Sequence, residues 1–256
     1  MLNVAVEAAR EAGAFLKAHL GKVRSIERKA GEEKNLVTEI DKGSEELIIR
    51  IIRRHFPGHD ILAEESGTTN AATSDYRWVI DPLDGTTNYT HGFPVFSVSI
   101  GLEKKGVLEL GVIYDPNTNE LFTAEKGKGA CLNGRRIGVS KTATLANSLL
   151  VTGFPYNIAE NPHQAVERFV GFLMKSQAVR RLGSAALDLA YVACGRFDGF
   201  WEVALQPWDM AAGVLIVEEA GGKVTDFQGK PMDIYNKALL SSNGLIHQEM
   251  EKILAL

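Results

Sequence analysis

The run from Asp81 to Asn88 (Asp-Pro-Leu-Asp-Gly-Thr-Thr-Asn) constrains this chain more than any other stretch. It follows the apolar run 78–80, which predicts a buried strand, so its polar residues are expected at the carboxyl end of that strand. Asp81 and Asp84 can point at one spot from such a turn, and carboxylate oxygens are the ligands that Mg²⁺ prefers. The Gly-Thr step behind them offers backbone N–H groups to an anion. Together these features predict metal-assisted phosphoryl chemistry.

The same residue types are also ordinary turn formers, because Asp side chains bond to their own backbone and glycine accepts a positive φ. Turn formation is enough to explain a single Asp-Gly step. Two further acidic stretches weigh against it: Glu64-Glu65-Ser66-Gly67, behind the strand-like run 61–63, and Trp208-Asp209-Met210, where a helix begins. Asp209 alone would be interpreted as the N-cap of that helix. The three stretches together favour one shared acidic site.

Composition excludes several classes of protein. With 256 residues, 45% apolar and 23% charged, the chain is typical of soluble globular proteins, with one large core or two lobes. A net charge of −4 predicts no direct nucleic-acid binding. Charged residues interrupt the apolar positions of the first twenty residues, which indicates an amphipathic helix and no membrane span. Cys131 and Cys194 lie far apart with no zinc-ligand spacing, so we expect a reducing, cytoplasmic location.

Periodicity predicts alternating helices and strands over the whole chain. The expected elements are a first helix ending near Gly21, a strand 23–29, a second helix from 41–44 to Pro57, a strand 61–63, a surface loop 68–74, antiparallel strands over 95–139, a helix with Val166, Phe169, Val170 and Leu173 facing inward, a helix from Ser184 to Gly195, a strand 197–203 and a helix 211–220. No linker or repeat separates them. We therefore expect a single domain, 1–256, made of two interwoven lobes, roughly 1–140 and 141–256.

The residues resemble a known family along the whole chain. The resemblance is carried by Glu64-Glu65-Ser66, 81–88 and Trp208-Asp209-Met210-Ala211-Ala212-Gly213, with Leu36 to Asp41, Gly127 to Ala130, Gly183 to Ala186 and Glu218 to Gly222 in support. This order and spacing is similar to that of the inositol monophosphatase family, within the lithium-sensitive, Mg²⁺-dependent phosphatases. The run from Arg181 to Tyr191 is most like the bacterial branch. The resemblance implies a mixed α/β (α+β) fold with layered αβαβα order.

The resemblance also implies a ligand set for Mg²⁺. Glu64, Asp81 and the backbone carbonyl of Leu83 correspond to ligands of a first ion, and Asp81, Asp84 and Asp209 to ligands of a second, with two or three ions in total. Four crowded carboxylates would raise one another's pKa values unless cations neutralise them, so the physics agrees with the resemblance. Inhibition by Li⁺ is expected by the same resemblance.

A metal-activated water is the expected nucleophile, because the run offers no Ser or Cys with an adjacent His. By resemblance, the Thr86 hydroxyl orients that water, Asp41 accepts the Thr86 proton and Glu65 lies behind them. Asp41 has a second reading as the N-cap of the second helix, and the two roles can coexist. Many relatives carry a Lys before the Asp41 segment. Lys29 and Lys34 are both near, but neither aligns without a gap, and the role is left unassigned.

Phosphate is expected on the N–H groups of Gly85 and Thr86 at the start of a short helix. The predicted contacts of the sugar or cyclitol come by resemblance. They are Glu64, Asp84, Gly183, Ser184, Ala185, Glu202 and Asp209, of which Glu202 could instead be an exposed strand charge. Arg180 and Arg181 have two readings, as contacts for a second phosphate or as surface and interface residues.

The predicted function is Mg²⁺-dependent hydrolysis of inositol monophosphate, or a similar sugar phosphate, to the alcohol and inorganic phosphate. One alternative is a broader phosphatase that also accepts fructose 1,6-bisphosphate, histidinol phosphate or a 3′-phosphonucleotide. Another is a regulatory protein that associates with RNA polymerase, as a bacterial relative does. The intact acidic residues favour an enzyme. A homodimer is expected by resemblance alone.

Overall fold

The computed structural model describes residues 1–23, 25–28, 36–69 and 74–255, so Lys29 and Lys34 lie outside the described residues. Amphipathic and small-residue periodicity produces seven α-helices in this part of the chain. They are α1 (Leu2–His19), α2 (Glu39–His55), α3 (Thr86–Thr90), α4 (Ala165–Leu173), α5 (Ala185–Ala193), α6 (Pro207–Glu219) and α7 (His247–Leu254). None of these helices combines the length and the apolar composition needed to cross a bilayer.

Strands form three sheets in the described residues. The strands are β1 (Ile26–Arg28), β2 (Leu36–Thr38), β3 (Asp60–Ala63), β4 (Gly67–Thr69), β5 (Tyr76–Asp84), β6 (Ser97–Lys104), β7 (Val107–Asp115), β8 (Glu120–Glu125), β9 (Gly129–Leu132), β10 (Arg135–Arg136), β11 (Leu149–Thr152), β12 (Ala178–Arg180), β13 (Gly199–Val203), β14 (Lys223–Thr225) and β15 (Ala238–Ser242). β1 pairs with β2. The large sheet has the order β10-β9-β8-β7-β6-β5-β3-β4, antiparallel except for β3 with β5. The five-stranded sheet has the order β12-β11-β13-β15-β14.

The helices and the two larger sheets stack in five layers. α1 and α2 pack on one face of the eight-stranded sheet, and α5 and α6 pack on the other. The five-stranded sheet covers the far side of α5 and α6, and α4 and α7 close its outer face. The predicted αβαβα order is therefore confirmed.

Alternation along the strands explains why the five-stranded sheet can be covered on both faces. Val151 and Phe200 point into the middle helical layer, while their neighbours Leu150 and Trp201 point toward α4 and α7. Successive side chains of a strand face opposite sides, so a continuous apolar run buries both faces.

Two glycines set how closely α6 approaches the large sheet. Gly101 of β6 and Gly111 of β7 are directly paired. A Cβ at Gly111 would lie 2.5 Å from the Ala212 carbonyl oxygen, and one at Gly101 would lie 2.7 Å from the Ala211 Cβ. Only glycine permits this approach, and it brings the N-terminal half of α6 against the sheet. Ser99 adds a hydrogen bond from its hydroxyl to the Trp208 carbonyl, at 3.3 Å.

One helix faces opposite to the prediction. Val166, Val170 and Leu173 of α4 are 43%, 48% and 49% exposed, so the prediction that they face inward is wrong, and Phe169 is only half-buried. α4 packs instead through Ala165 and Phe172, and the Phe172 ring stacks on the Trp201 ring at 3.8 Å between centroids. All the candidate positions are apolar, so hydrophobicity alone could not select the buried face.

Several predicted boundaries also shift. β5 continues through the polar run to Asp84, so the two aspartates lie in the strand and not behind it. Residues 68 and 69 of the predicted surface loop 68–74 belong to β4, and residues 70–73 lie outside the described part. α2 begins at Glu39 and α6 at Pro207, each earlier than predicted.

Candidate active site

Every predicted metal and substrate residue lines one cleft of about 420 Å³. These residues are Glu64, Asp81, Leu83, Asp84, Gly85, Thr86, Gly183, Ser184, Ala185, Glu202 and Asp209. The cleft lies where β5, the start of α3, the start of α5 and the start of α6 meet, so its residues come from both predicted lobes. Asp41 and Glu65 do not line it. Asp41 is fully buried directly behind Thr86.

Three carboxylates converge at the floor of the cleft. Asp81, Asp84 and Asp209 each offer an oxygen within 4.8 Å of the others. Residues three apart would face opposite sides of a regular strand, but the register of β5 against β6 shifts between Asp81 and Asp84. Such an irregularity re-aims side chains, and here it accompanies the convergence of both aspartates. Asp81 is held by the Leu83 amide, which donates to its Oδ1 at 3.0 Å.

Asp84 is held by the first turn of α5. The Ser184 hydroxyl donates to Asp84 Oδ2 at 2.5 Å, and the amides of Ala186 and Ala185 donate to Oδ2 and Oδ1 at 2.8 Å and 3.3 Å. Ser184 is also the N-cap of α5. Ser184 and Ala185 were predicted to contact the substrate. In the structure they hydrogen-bond to Asp84 and so orient a carboxylate of the acidic floor.

Asp41 and Asp209 occupy the same position in two different helices. The prediction that each could be an N-cap is wrong, because the N-caps are Thr38 of α2 and Gln206 of α6. Both aspartates are the third residue of the first turn. There, one carboxylate oxygen accepts the N-cap amide, at 2.8 Å for Asp41 Oδ2 and 2.7 Å for Asp209 Oδ2. A capping-box acid therefore leaves its other oxygen available to the site.

The second oxygen of Asp41 accepts the Thr86 hydroxyl at 2.9 Å. Thr86 Oγ1 also lies 3.1 Å from the Leu83 carbonyl oxygen. Burial raises the pKa of Asp41, hydrogen bonds from Thr38 and Thr86 oppose that shift, and the nearby Glu65 charge adds to it. The predicted Thr86–Asp41 contact is present, and the buried carboxylate holds a proton more readily than a free one.

Burial is the main electrostatic feature of the acidic floor. It is the largest cause of the raised pKa values of Asp81, Asp84 and Asp209, and the neighbouring carboxylates add to the shift of Asp81 and Asp209. Glu64 contributes to both of those shifts. Such a group is frustrated when ionised and favours a cation. The donor set is all oxygen, which suits a hard divalent ion.

The start of α3 borders the floor. Gly85 is its N-cap with a φ of +97°, and a Cβ there would lie 2.9 Å from the Val95 carbonyl oxygen, so both the conformation and the space require glycine. The short helix predicted at the Gly-Thr step is therefore confirmed. Because no helical turn precedes them, the amides of its first turn have no intrahelical carbonyl as a hydrogen-bond partner.

The glutamates of the second stretch separate in space. Glu64 follows β3 into the cleft. The backbone of the next two residues is turned away, because the amides of Glu65 and Ser66 donate to the Glu45 carboxylate of α2 at 2.8 Å and 2.9 Å. Glu65 acts on the site through its charge near Asp41.

The cleft is also lined by two groups of residues that the sequence did not single out. They are Gly153, Phe154, Pro155, Tyr156 and Asn157 from the loop after β11, and Ala204, Leu205 and Gln206 after β13. Both loops follow the carboxyl ends of strands in the parallel β11–β13 pair, and that position is the signal that could have identified them. Both predicted arginines are exposed. Arg181 lines the cleft, whereas Arg180 does not and donates to the Val179 carbonyl.

Glu202 also lines the cleft, against the loop after β11. A Cβ at Gly153 would lie 2.2 Å from either Glu202 carboxylate oxygen, so the glycine makes room for the acid. Burial raises the pKa of Glu202 to about 8, and Arg181 opposes the shift. Glu202 is therefore not an ordinary exposed strand charge.

Comparison with known proteins agrees with this geometry. The sequence matches the profile of the inositol monophosphatase family over residues 1–256. It is 48% identical over 254 residues to an inositol-1-monophosphatase of Synechocystis sp., covering 99% of this chain and 88% of the relative. It is also 48% identical over 230 residues to the Nus factor SuhB of Escherichia coli, covering 90% and 86%. The structure of an inositol monophosphatase from Anabaena (Nostoc) sp. matches with a TM-score of 0.87 at 48% identity, covering 99% and 94%. The chain therefore belongs to the metal-dependent inositol monophosphatase family and is a phosphatase.

Proposed function

We propose that the protein hydrolyses inositol monophosphate, or a similar sugar phosphate, to the alcohol and inorganic phosphate in a Mg²⁺-dependent reaction. The observation that carries this proposal is the convergence of Asp81, Asp84 and Asp209 beside the Thr86–Asp41 pair. Acids that bind hard cations and a paired hydroxyl and carboxylate are the parts that phosphomonoester hydrolysis needs. The Synechocystis relative carries the name of this activity.

Two sets of oxygen atoms would hold the metal. Glu64, Asp81 and the Leu83 carbonyl suit one ion, and Asp81, Asp84 and Asp209 suit another. Bound Mg²⁺ would supply the positive charge that activates a water and stabilises the leaving oxygen. The same charge would let the buried carboxylates ionise together. We propose that Li⁺ inhibits by competing for one of these sites.

Thr86 and Asp41 would move the proton. Thr86 Oγ1 would orient the attacking water and take a proton from it while passing its own to Asp41 Oδ1, 2.9 Å away. Burial prepares Asp41 for this task by raising its pKa, and the Glu65 charge acts in the same direction. The carboxylate does not have to turn, because the Thr38 backbone holds its other oxygen.

Two sides of the cleft would hold the substrate. The amides of Gly85 and Thr86 would bind the phosphate, because the first-turn donors of a helix favour an anion. Glu64, Asp84, Asp209, Glu202 and the segment 183–185 would surround the polyol. These residues come from both lobes, 1–140 and 141–256, so we propose that the whole chain acts as a single domain.

Phosphate release from myo-inositol 1-phosphate tests this proposal. The measurement compares Mg²⁺, EDTA and added Li⁺ for the wild type, for Asp84→Asn and for Asp75→Asn, an exposed acid paired with Lys105 that serves as the control. We expect release that requires Mg²⁺, falls with Li⁺ and is lost in Asp84→Asn only. Release that persists in EDTA and in Asp84→Asn would contradict the proposal.

The position of Arg181 favours a second substrate class, sugar bisphosphates such as fructose 1,6-bisphosphate. Arg181 is the one basic residue of the described chain that lines the cleft, and its charge acts on Glu202, which we propose to contact the polyol. Arg180 does not line the cleft, so it provides a matched control. We expect Arg181→Ala to lower activity on the bisphosphate more than on inositol monophosphate, and Arg180→Ala to change neither. Equal losses on both substrates would remove this candidate.

We also propose a homodimer in the cytoplasm, with the exposed apolar residues of α4 as one contact surface. Val166, Val170 and Leu173 of that helix and its C-cap residue Met174 are 43% to 78% exposed. We expect Val170→Asp to shift the mass measured by light scattering from that of a dimer to that of a monomer. An unchanged dimer mass would show that the contact surface does not include α4.

Association with RNA polymerase is proposed from the name of the Escherichia coli relative, a Nus factor. Binding that persists in Asp84→Asn would show that this role is separate from catalysis.

A further inference from the structure

Two consecutive polar residues of α2, Ser44 and Glu45, lie behind the candidate active site and have no part in the proposed reaction. They follow Asp41 by three and four residues, so all three lie on one face of the helix. Asp41, Ser44 and Glu45 are 0%, 0% and 3% exposed. A glutamate is almost never buried this deeply unless it is paired, and Glu45 lies too far into α2 to cap it.

Both carboxylate oxygens of Glu45 bind the turn between β3 and β4, residues 64–66. Oε2 accepts the Glu65 amide at 2.8 Å, and Oε1 accepts the Ser66 amide at 2.9 Å. Hydrogen bonds from backbone amides to a carboxylate are among the stronger ones in proteins. On one side the turn borders a cavity of about 330 Å³ that Glu45, Glu65 and Ser66 help to line. The carboxylate therefore holds a turn that is open on that side.

This contact also fixes the backbone of Glu64, the first residue of the turn. The peptide group after Glu64 carries the Glu65 amide, which Glu45 binds. The amide of Glu64 itself donates to the Ile80 carbonyl at 3.2 Å. Both peptide groups that flank Glu64 are therefore held while its side chain lines the cleft. Because Glu64 and Asp81 come from different elements, their separation depends on how this turn is held.

Ser44 makes the corresponding contact with β5. Its hydroxyl donates to the carbonyl of Pro82, the residue between Asp81 and Leu83, at 2.8 Å. Neighbouring residues of one helix thus hold both the turn that carries Glu64 and the strand segment that carries Asp81. Groups placed by a helix are held more precisely than groups placed by a loop. The helix backbone between the two contacts therefore sets the spacing of the proposed first metal site.

We infer that Glu45 is a positioning residue for this first metal site: it holds the turn 64–66 so that Glu64 can bind the same ion as Asp81 and the Leu83 carbonyl. Ser44 is its counterpart on the β5 side. The inference rests on the proposed function, which assigns those three groups to one ion. Residues that orient a metal ligand without touching the metal typically contribute about 10- to 100-fold in metal affinity.

Binding of Mn²⁺ to the intact chain, measured by electron paramagnetic resonance of the free ion, tests the inference without substrate. Mn²⁺ takes the same oxygen ligands as Mg²⁺. We expect Glu45→Gln to raise the Kd of one bound ion by about 10- to 100-fold and to leave that of the other nearly unchanged. Glutamine keeps the size of the side chain but replaces one acceptor by a donor that opposes a turn amide. Glu46→Gln, a change of the exposed neighbour in α2, is the control and should match wild type.

A double-mutant cycle shows whether Glu45 acts through Glu64. Glu64→Ala should raise the Kd of the same ion. Addition of Glu45→Gln to that variant should change little more, because the ligand that Glu45 orients is already gone. Ser44→Ala is the milder variant should Glu45→Gln not fold, and it should raise the same Kd by about two- to tenfold, the effect of one hydrogen bond.

The Mg²⁺ dependence of phosphate release provides a second readout. Glu45→Gln should need more Mg²⁺ for its half-maximal rate and should approach the wild-type kcat at saturating Mg²⁺. A loss in Glu45→Gln of the same size with and without Glu64 would indicate a purely structural role and would overturn the inference. Mn²⁺ binding in Glu45→Gln equal to that of wild type would overturn this inference alone. Wild type that bound no Mn²⁺ would overturn the proposed function and this inference together.

Discussion

The cleft has two regions that treat their carboxylates in opposite ways. On the acidic floor, each of Asp81, Asp84 and Asp209 accepts at least one backbone amide, and so does Asp41 directly behind Thr86. On the opposite wall, defined as Gly153, Arg181 and Glu202, the Glu202 carboxylate accepts no hydrogen bond from the described residues. The same holds for the buried Asp188 of α5, which does not line the cleft.

This difference separates the residues proposed for the chemical step from those proposed for substrate recognition. Backbone donors fix the floor before any ligand arrives, which suits atoms that must meet a metal and a reacting phosphate at set positions. On the wall, Glu202 keeps carboxylate oxygens without a protein donor, which suits a group whose hydrogen bonds are completed by a substrate. The following variants break or sharpen that comparison, from the largest effect to the smallest.

Removal of a floor carboxylate should have the largest effect. We expect Asp81→Asn to lower kcat/KM by at least about 10²-fold, because loss of a group that supports a metal site has effects of this size or more. The metal-free variant should unfold at the same temperature as wild type or higher, since a buried repelling charge is removed. Thermal unfolding in EDTA and steady-state kinetics in Mg²⁺ measure the two effects.

Asp75→Asn is again the control, and it should match wild type in both measurements. A floor variant that lost stability in EDTA would show that Asp81 is structural, and the contrast between the two regions would be weakened.

Removal of the Thr86 hydroxyl should come next. We expect Thr86→Val to lower kcat by about 10²-fold with little change in Mg²⁺ affinity, because general acid–base groups contribute 10²- to 10⁴-fold. Thr90→Val is the matched control in the same short helix, since the Thr90 hydroxyl bonds only to the Thr87 carbonyl. Kinetics at varied Mg²⁺ separate kcat from metal affinity. A loss that high Mg²⁺ restores would assign Thr86 to the metal site instead.

Displacement of α6 should have an intermediate effect on both stability and activity. A Cβ at Gly111 would lie 2.5 Å from the Ala212 carbonyl oxygen, so Gly111→Ala should push α6 away from the sheet and carry Asp209 with it. Overpacking of this kind costs about 1–3 kcal/mol of the free energy of unfolding. Urea denaturation and phosphate release should both decline. Gly58→Ala is the control, because nothing lies within 4 Å of a Cβ there. Normal activity in a destabilised Gly111→Ala would mean that Asp209 does not depend on this approach.

The pH dependence of the metal-free protein should show the smallest effect. The pKa of Glu202 is raised from 4.5 to about 8, so the folded state retains a proton that the unfolded chain releases. The resulting stability is present below pH 4.5 and is lost as the pH rises toward 8. Asp81 and Asp209 act with the same sign.

Buried His247 has the opposite sign, because its pKa is lowered from 6.5 to about 4, but its contribution is complete above about pH 7. Urea denaturation in EDTA between pH 7 and pH 9 therefore isolates the acids. We expect the free energy of unfolding of wild type to fall over this range and that of Glu202→Gln to fall less. Equal slopes of the free energy of unfolding against pH in wild type and Glu202→Gln would mean that a group other than Glu202 holds the proton.

The sequence predicted the floor better than the wall for a physical reason. Asp81, Asp84 and Thr86 lie within six residues, so local turn chemistry already limits where they point. Glu64 and Asp209 could be added because each follows a recognisable strand or begins a helix. The dominance of burial in the raised pKa values could not be predicted, since it depends on how the layers close over the strand end.

The wall depends on contacts between elements that are distant in sequence. Gly153 matters because Glu202, almost fifty residues later, lies against it in space. Asp188 is an unremarkable polar residue in the sequence of α5, and only the packing of that helix leaves it without a partner. The α4 prediction was wrong for the same reason, because only tertiary packing selects Phe172 over its apolar neighbours.

The capping positions of Asp41 and Asp209 affect how this lineage can change over evolutionary time. Each aspartate begins a helix as well as facing the site, so a descendant that abandoned catalysis would still be selected to keep both for folding. Thr86 does not stabilise the start of α2 or of α6. Among descendants with a regulatory role, loss of Thr86 should therefore precede loss of either capping aspartate, and Thr86 is the better marker of retained enzymatic activity.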